Sequence, residues 1–181
     1  GYDKQILKQF SEAIEDYNKV LELDKNFERA YVQRAFCKVQ LKDYESAITD
    51  FESAIKLNPN DPISYLNLGF VHYNLGNKED TTYFAKAIEI DEKMAEAYFM
   101  RGQVFLNKDE NELAVLDFTK AIEIEPTWTA YYLSRSVAYD RLNEYEKALD
   151  DCLKIKQIDP NYTDIDEYIR DFKKELQVAS T

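Results

Sequence analysis

Glycine and proline are scarce in this sequence, and each occurs only four times in 181 residues. An all-β fold needs a turn about every ten residues, and turns draw on these two residue types. The scarcity therefore argues against an all-β fold. No apolar run approaches the roughly 20 residues of a membrane span, and the first residues lack the charged and then apolar profile of a signal peptide. We expect a cytoplasmic protein without membrane insertion.

Histidine, cysteine and basic residues are also few. The sequence has one histidine, His72, and two cysteines, Cys37 and Cys152, so we expect neither a zinc site nor a disulfide framework. Lys and Arg total 23 against 35 Asp and Glu, and the resulting net charge of −12 repels nucleic acid. No nucleophile stands in a pattern with a base and an orienting group. We therefore predict no enzyme activity, catalytic residue, metal site, cofactor or nucleic-acid partner.

An internal repeat is the most informative feature of the chain. A small residue, a bulkier one, a second small or apolar one and a proline recur with constant spacings. The copies are Ala47/Phe51/Ala54/Pro59, Ala114/Phe118/Ala121/Pro126 and Ala148/Cys152/Ile155/Pro160. Upstream, a tyrosine precedes a small residue by four positions in Tyr31/Ala35, Tyr65/Gly69, Tyr98/Gly102 and Tyr132/Ser136. Such spacings predict two amphipathic helices per repeat, which bury their apolar faces only by stacking on neighbouring repeats.

This pattern resembles the tetratricopeptide repeat family, whose repeat is a helix–turn–helix of 34 residues. The resemblance implies an all-α fold, a right-handed superhelical array of antiparallel helix pairs. The predicted segments are a partial repeat at 1–27, full repeats at 28–61, 62–94, 95–128 and 129–162, and a capping helix with a tail at 163–181. Gly1 falls in the middle of the first helix of its repeat, so we expect the chain to begin inside a repeat, as a fragment of a longer protein would.

The repeat at 62–94 departs from the others. It is one residue short in its turn, and it carries the weak helix formers Asp80, Thr81 and Thr82 where other repeats have small or apolar residues. We expect this repeat to be the least stable part of the array. The pattern leaves open whether the departure is neutral drift or a hinge or binding notch.

The capping helix is predicted from a change of pattern after Pro160. Ile165, Ile169, Phe172 and Leu176 follow at helical spacing, with charged residues on the other faces. A helix that is apolar towards the last repeat and polar towards water closes the open end of a repeat array. The alternative is that this helix folds into the groove or binds a partner.

Arginine and aspartate appear and disappear together in the repeats. The pairs, sixteen residues apart, are Arg34/Asp50, Arg101/Asp117 and Arg135/Asp151, whereas the short repeat has Leu68 and Tyr83. We expect a salt bridge in each hairpin, with two parallel hydrogen bonds from the guanidinium to the carboxylate. The alternative is that the arginines line a site for anionic ligands.

The family resemblance also implies a concave surface lined by the first helix of each repeat. The residues expected to face it are Val32, Phe36, Val39, Leu66, Asn67, Phe70, Tyr73, Phe99, Gln103, Leu106, Leu133 and Val137. This groove is largely apolar, which favours a hydrophobic or amphipathic segment of a partner protein as its ligand. The alternative is that neighbouring helices bury these residues against each other.

One ligand class of the family is disfavoured. The acidic tails of cytosolic chaperones are held by Lys and Asn, then Asn, then Lys and Arg in three successive repeats. The matching residues here are Val32, Phe36, Asn67, Glu96 and Met100, so only Asn67 agrees. Glu96 would repel the carboxylate that a lysine should hold.

The sequence therefore predicts a non-enzymatic scaffold that binds a segment of another protein. Two other hypotheses stay open: a regulatory or targeting region of a larger enzyme, and an array that self-associates into a structural assembly.

Overall fold

The computed structural model describes residues 2–78 and 80–179, and every regular element in them is an α-helix. The helices are α1 (Tyr2–Leu23), α2 (Glu28–Gln40), α3 (Tyr44–Leu57), α4 (Pro62–Asn74), α5 (Thr82–Ile90), α6 (Ala95–Asn107), α7 (Asn111–Ile124), α8 (Thr129–Arg141), α9 (Tyr145–Ile158) and α10 (Ile165–Ala179). Short turns join α2 to α3, α4 to α5, α6 to α7 and α8 to α9, and the helices of each pair pack together. The predicted fold class, an all-α array of antiparallel helix pairs, is confirmed.

The chain divides into two compact units. The N-terminal unit, Gly1–Glu92, holds α1 to α5, and the C-terminal unit, Lys93–Thr181, holds α6 to α10. Inside each unit, the second helix of one pair also packs on the first helix of the next, as α3 does on α4 and α7 on α8. This stacking buries the apolar faces that a single hairpin would leave in water.

The recurring small and aromatic residues meet at the centre of each hairpin. A Cβ atom added to Gly69 would lie 2.8 Å from the ring of Phe84, and one added to Gly102 would lie 2.7 Å from the ring of Phe118. Both rings are completely buried. The small residue of the first helix therefore makes room for the ring of the second, which explains why the two residue types recur together.

The turn inside each pair uses one left-handed residue. Lys42, Asp109 and Asn143 have φ angles of 61°, 57° and 58°. In the short repeat the same place is taken by Gly76, with a φ angle of 105°. Glycine adopts this conformation without the steric cost that a Cβ atom brings.

Helix α10 covers the last repeat. Ile165, Ile169 and Phe172 are buried in one cluster with Cys152 and Ile155 of α9. The other positions of α10 are mostly exposed. The predicted capping helix is confirmed, because its apolar stripe occupies the face that a further repeat would cover.

The predicted partial repeat at 1–27 holds a single helix, unlike the full repeats. Helix α1 runs without interruption from Tyr2 to Leu23, so no turn separates a first from a second helix there. Lys8 occupies the position of Lys42 but stays helical, because Leu, Lys and Gln are good helix formers. Gln9 also replaces Asp43, whose side chain caps α3 by accepting a hydrogen bond from the Ser46 amide. The predicted place of Gly1 lies outside the described residues.

Helix α5 is the shortest helix in the described part of the chain. It has nine residues, whereas α3, α7 and α9 have 14 each. Its N-cap, Thr81, makes no side-chain capping hydrogen bond, although the Asp80 carboxylate accepts one from the Thr82 amide at 2.8 Å. A short helix with few internal hydrogen bonds depends on packing for its stability.

Candidate functional site

Each of the three predicted arginines lies against the aspartate of its own hairpin. Arg101 donates from Nε and Nη2 to the two carboxylate oxygens of Asp117, at 2.7 and 2.8 Å. The corresponding distances for Arg135 and Asp151 are 2.9 and 2.7 Å. Arg34 and Asp50 repeat this geometry at 2.8 and 2.5 Å. Two parallel bonds fix the planar guanidinium against the carboxylate and so fix the two helices relative to each other.

These carboxylates are nearly removed from water. Asp50, Asp117 and Asp151 are 2%, 5% and 4% exposed. The hydrogen bond with Asp117 is the main cause of the raised pKa of Arg101. Burying an unpaired carboxylate costs free energy, so loss of the arginine would strongly destabilise the protein. The intact pair adds little net stability, because the desolvation of the two charges offsets much of their attraction.

The arginines also have neighbours beyond their aspartates. Arg34 donates from Nη1 to Asn18 Oδ1 at 2.7 Å, and Arg135 donates from Nη1 to Thr119 Oγ1 at 2.9 Å. Asn18 lies on α1 and Thr119 on α7, the helices that directly precede those of the two arginines. Because these donors are already used inside the protein, the geometry favours a structural role over a site for anionic ligands.

A tyrosine ring covers each guanidinium. The guanidinium carbon lies 5.5 Å from the ring centre of Tyr31 for Arg34, 5.7 Å from Tyr98 for Arg101 and 5.8 Å from Tyr132 for Arg135. Each tyrosine precedes its arginine by three residues, so both side chains lie on one helical face. In three hairpins, therefore, the guanidinium of an arginine lies against the same two groups, a tyrosine ring and a carboxylate.

The short repeat replaces the ion pair with an aromatic stack. Leu68 is buried, and the ring of Tyr83 stacks on the ring of His72 with centroids 5.0 Å apart and planes 10° from parallel. The Asn77 side-chain nitrogen lies 3.3 Å from His72 Nδ1. His72 therefore packs inside the hairpin, and no group of three metal-ligating side chains occurs in the described part of the chain.

The predicted groove residues of the N-terminal unit divide into exposed and buried ones. Phe36 on α2 is 46% exposed and Phe70 on α4 is 39% exposed. Val32 and Val39 are half-buried against the core of the unit. Leu66 differs from the expectation, because at 8% exposure it belongs to the core.

Asn67 and Tyr73, the two remaining predicted groove residues of this unit, are half-buried. Asn67 donates from its amide to the carbonyl oxygen of Ile63 at 2.9 Å, within its own helix. Tyr73 has the ammonium group of Lys78 5.9 Å from its ring centre. The amide oxygen of Asn67 accepts no hydrogen bond in the described part of the chain, so it is free to accept one from a ligand.

Sequence reasoning missed Ile63, which is 50% exposed. Ile63, Asn67 and Phe70 are spaced by four and three residues, so they form one stripe along α4. This spacing was the available signal for Ile63. Helix α2 packs beside α4 and carries Phe36 at the repeat position of Phe70. We call Phe36, Ile63 and Phe70 the phenylalanine face.

The predicted groove residues Phe99 and Gln103 of the C-terminal unit contact other side chains of that unit. The ring of Phe99 lies 5.8 Å from Phe118 and 5.0 Å from Tyr131. Gln103 donates from its amide to the Ser134 hydroxyl at 2.7 Å and so joins α6 to α8.

The three remaining predicted groove residues of this unit also pack inward. Leu106 differs from the expectation, because it is 8% exposed and lies in a core cluster. Leu133 and Val137 pack against the core as half-buried residues. This unit therefore offers no exposed aromatic pair at the predicted groove positions.

Solved structures with the same helical arrangement exist. The C-terminal part of a TPR repeat-containing protein from Cytophaga hutchinsonii aligns with a TM-score of 0.82 at 22% identity, over 99% of this chain and 72% of that one. MamA aligns with a TM-score of 0.79 at 23% identity, over 87% and 92% of the two chains. YrrB, described as a TPR protein with an unusual peptide-binding site, aligns with a TM-score of 0.73 at 26% identity, over 92% and 84%.

Family models match most of the repeats directly. The model described as Tetratricopeptide repeat matches residues 4–27, 95–127 and 129–162, and the model described as TPR repeat matches residues 38–76. The comparison with curated proteins finds no match. None of the described helices combines the length and the apolar run that a membrane crossing needs. Since the matched residues make up more than half of the sequence and the helix pairs have the matching architecture, the chain belongs to the tetratricopeptide repeat family.

Proposed function

We propose that this chain is a non-enzymatic scaffold that binds a hydrophobic or amphipathic segment of another protein on its phenylalanine face. The observation that carries the proposal is the exposure of Phe36 and Phe70, at the same repeat position of two first helices that pack side by side. Large aromatic side chains that are exposed on neighbouring helices mark contact sites, because covering their apolar area with a partner lowers the free energy.

The surroundings of these rings favour a peptide ligand. Gln33 on α2 is exposed, and the amide oxygen of Asn67 is free, so both can pair with the main chain of a bound segment. Ile63 extends the apolar stripe of α4 towards the start of the helix. Apolar anchors with a few amide groups between them suit a segment that buries alternate or helically spaced side chains.

Acidic chaperone tails remain disfavoured as ligands. Phe36 and Val32 stand where the clamp needs an amide and a cation, and neither can hold a carboxylate. The similarity to YrrB, a TPR protein with an unusual peptide-binding site, supports a peptide ligand other than an acidic chaperone tail.

The test compares two double variants in a capture experiment from a lysate of the source cells. Phe36→Gln with Phe70→Gln removes the two exposed rings. Leu23→Gln with Leu57→Gln is the matched control, because these leucines are exposed in the same unit on α1 and α3. We expect the first variant to lose the captured protein and the control to retain it, with helical content unchanged in both. Equal capture by both variants would reject this face as the binding site.

One further measurement tests the self-association alternative, and another measures the affinity of the proposed interaction. Light scattering over a dilution series reports self-association, for which the mass would rise with concentration. Calorimetric titration of the captured segment then gives the affinity, and loss of two half-exposed phenylalanines should weaken it by about tenfold or more.

A further inference from the structure

A cavity of about 470 Å³ opens between the last repeat and the capping helix of the C-terminal unit. Helix α8 contributes Asp140, α9 contributes Tyr145, and α10 contributes Tyr168, Phe172 and other residues to its walls. The capping helix therefore forms part of a cavity wall in addition to closing the apolar end of the array. We call this space the cap cavity.

Aromatic rings form part of the cap cavity. The rings of Tyr145 and Phe172 lie 6.4 Å apart at an angle of 31°. Tyr145 donates its hydroxyl hydrogen to Asn143 Oδ1 at 2.9 Å, so that group is already used. Tyr168 is 43% exposed. Aromatic rings attract cations, so this lining suits a cationic ligand.

Three carboxylates line the same cavity: Asp140, Asp171 and Glu175. All three are exposed, and none takes part in an ion pair within the described part of the chain. Lys174 is the basic residue of the lining. Three carboxylates against one ammonium leave a negative cavity, which an anionic ligand would not enter.

Three hairpins of the protein show which cationic group packs against an aromatic ring and a carboxylate together. In three hairpins a guanidinium lies over a tyrosine ring, 5.5 to 5.8 Å from its centre, and pairs with an aspartate. The cap cavity is lined by the same two kinds of group, aromatic rings and carboxylates, but no arginine of the chain lines it. A planar guanidinium can stack on a ring and pair with a carboxylate at once, which a compact ammonium does less well.

We propose that the cap cavity binds the guanidinium of an arginine side chain from a partner protein. The proposal rests on the proposed function in that the occupant belongs to a bound protein segment. It adds a second contact with its own chemistry, apart from the phenylalanine face. The capping helix α10 then takes part in recognition, since it supplies Tyr168, Asp171 and Glu175.

The probe for this cavity is Nα-acetyl-arginine amide, titrated into the full chain and followed by ¹H–¹⁵N NMR at physiological salt to screen the general negative charge. We expect saturable shifts at the amides of α8 and α10, with a dissociation constant on the order of millimolar for one side chain. Nα-acetyl-citrulline amide has nearly the same shape without the charge and should bind at least about fivefold more weakly. Equal binding of citrulline, or shifts spread over the whole surface, would overturn the proposal.

Variants locate the effect. Asp171→Asn with Glu175→Gln should weaken arginine binding by about fivefold or more, and Tyr168→Ala should weaken it by a smaller factor. Glu146→Gln with Glu167→Gln is the matched control, because it removes two exposed carboxylates of α9 and α10 that do not line the cavity. An equal loss in the control would show diffuse attraction and overturn the proposal. The probe needs no partner, so its failure leaves the capture experiment on the phenylalanine face intact.

Discussion

The two units build the same hairpins but differ in what their first helices expose. At the repeat position of Phe36 and Phe70 in the N-terminal unit, the C-terminal unit has Gln103 and Val137. The phenylalanines are exposed, whereas Gln103 bonds to Ser134 on the next first helix. The two units thus keep the same packing inside each hairpin, while this one position is an exposed phenylalanine in the N-terminal unit and, at Gln103, a contact between helices in the C-terminal unit.

The units also differ in how their hairpins are fixed. Both full repeats of the C-terminal unit contain the Arg–Asp pair, whereas the N-terminal unit has it only in its first full repeat. In the second, Leu68 and the stack of His72 on Tyr83 take its place. The chain therefore joins the two helices of a hairpin either by an ion pair or by apolar and aromatic contacts. Exchanging one kind of contact for the other measures how much each contributes to stability.

Breaking one ion pair gives the largest expected effect. Arg101→Leu leaves the buried carboxylate of Asp117 without its partner, and the free energy of unfolding should fall by about 3–5 kcal/mol. Arg101→Leu with Asp117→Tyr copies the short repeat and should recover most of that loss. Urea denaturation followed by circular dichroism measures both. A double variant no more stable than the single one would show that the apolar solution needs further residues of its own repeat.

The short repeat should open more often than the others. Because α5 has nine residues and no side-chain N-cap hydrogen bond, its amides should exchange with deuterium about tenfold or more faster than those of α7. Hydrogen exchange with mass spectrometry resolves the two helices in one sample. Equal protection of α5 and α7 would contradict the view that the short repeat is the weakest element.

High pH should destabilise the C-terminal unit through Tyr131. Burial raises the pKa of Tyr131 to about 12, whereas an unfolded tyrosine titrates near 10. Between these values the unfolded chain loses a proton that the folded chain keeps, so stability falls as pH rises from about 10 to 12, by about 1–2 kcal/mol. Tyr131→Phe should show a smaller fall in urea denaturation across this range. An identical pH profile for the variant would assign the loss to other groups.

The smallest expected effect concerns the turn of the short repeat. Gly76→Ala places a Cβ atom on a backbone with φ near 105°, and this strain should cost about 1 kcal/mol. No heavy atom lies near the added Cβ, so the cost is conformational. Lys42→Ala is the control, since Lys42 already carries a Cβ atom at φ 61°. Thermal unfolding of both variants should show a lower midpoint only for Gly76→Ala.

The fold could be predicted from the sequence because each repeat restates the same packing rules. Small residues recur where the rings of Phe84 and Phe118 contact the facing helix. The joint recurrence of Arg and Asp correctly predicted side chains that lie within hydrogen-bond distance. The uninterrupted helix at Lys8 does not follow from the repeat spacing; it follows from the local sequence, which favours helix and lacks the aspartate that caps α3.

The exposure of the groove was harder to predict from the sequence. Leu66 and Leu106 lie at predicted groove positions, yet each is only 8% exposed. Burial at such positions depends on how closely adjacent first helices approach, which no repeat pattern states. The cap cavity was hidden for the same reason, since Asp140 and Asp171 come together only when α10 docks on the last repeat.

The most direct test of the central claim places a photo-reactive phenylalanine analogue at Gln33, beside Phe36 on the exposed side of α2. The same analogue at Glu52, exposed on α3 of the same unit, serves as the comparison. We predict that illumination joins the captured partner to the chain labelled at position 33 and leaves it unattached at position 52. Attachment at position 52 alone would contradict the claim that the phenylalanine face holds the partner.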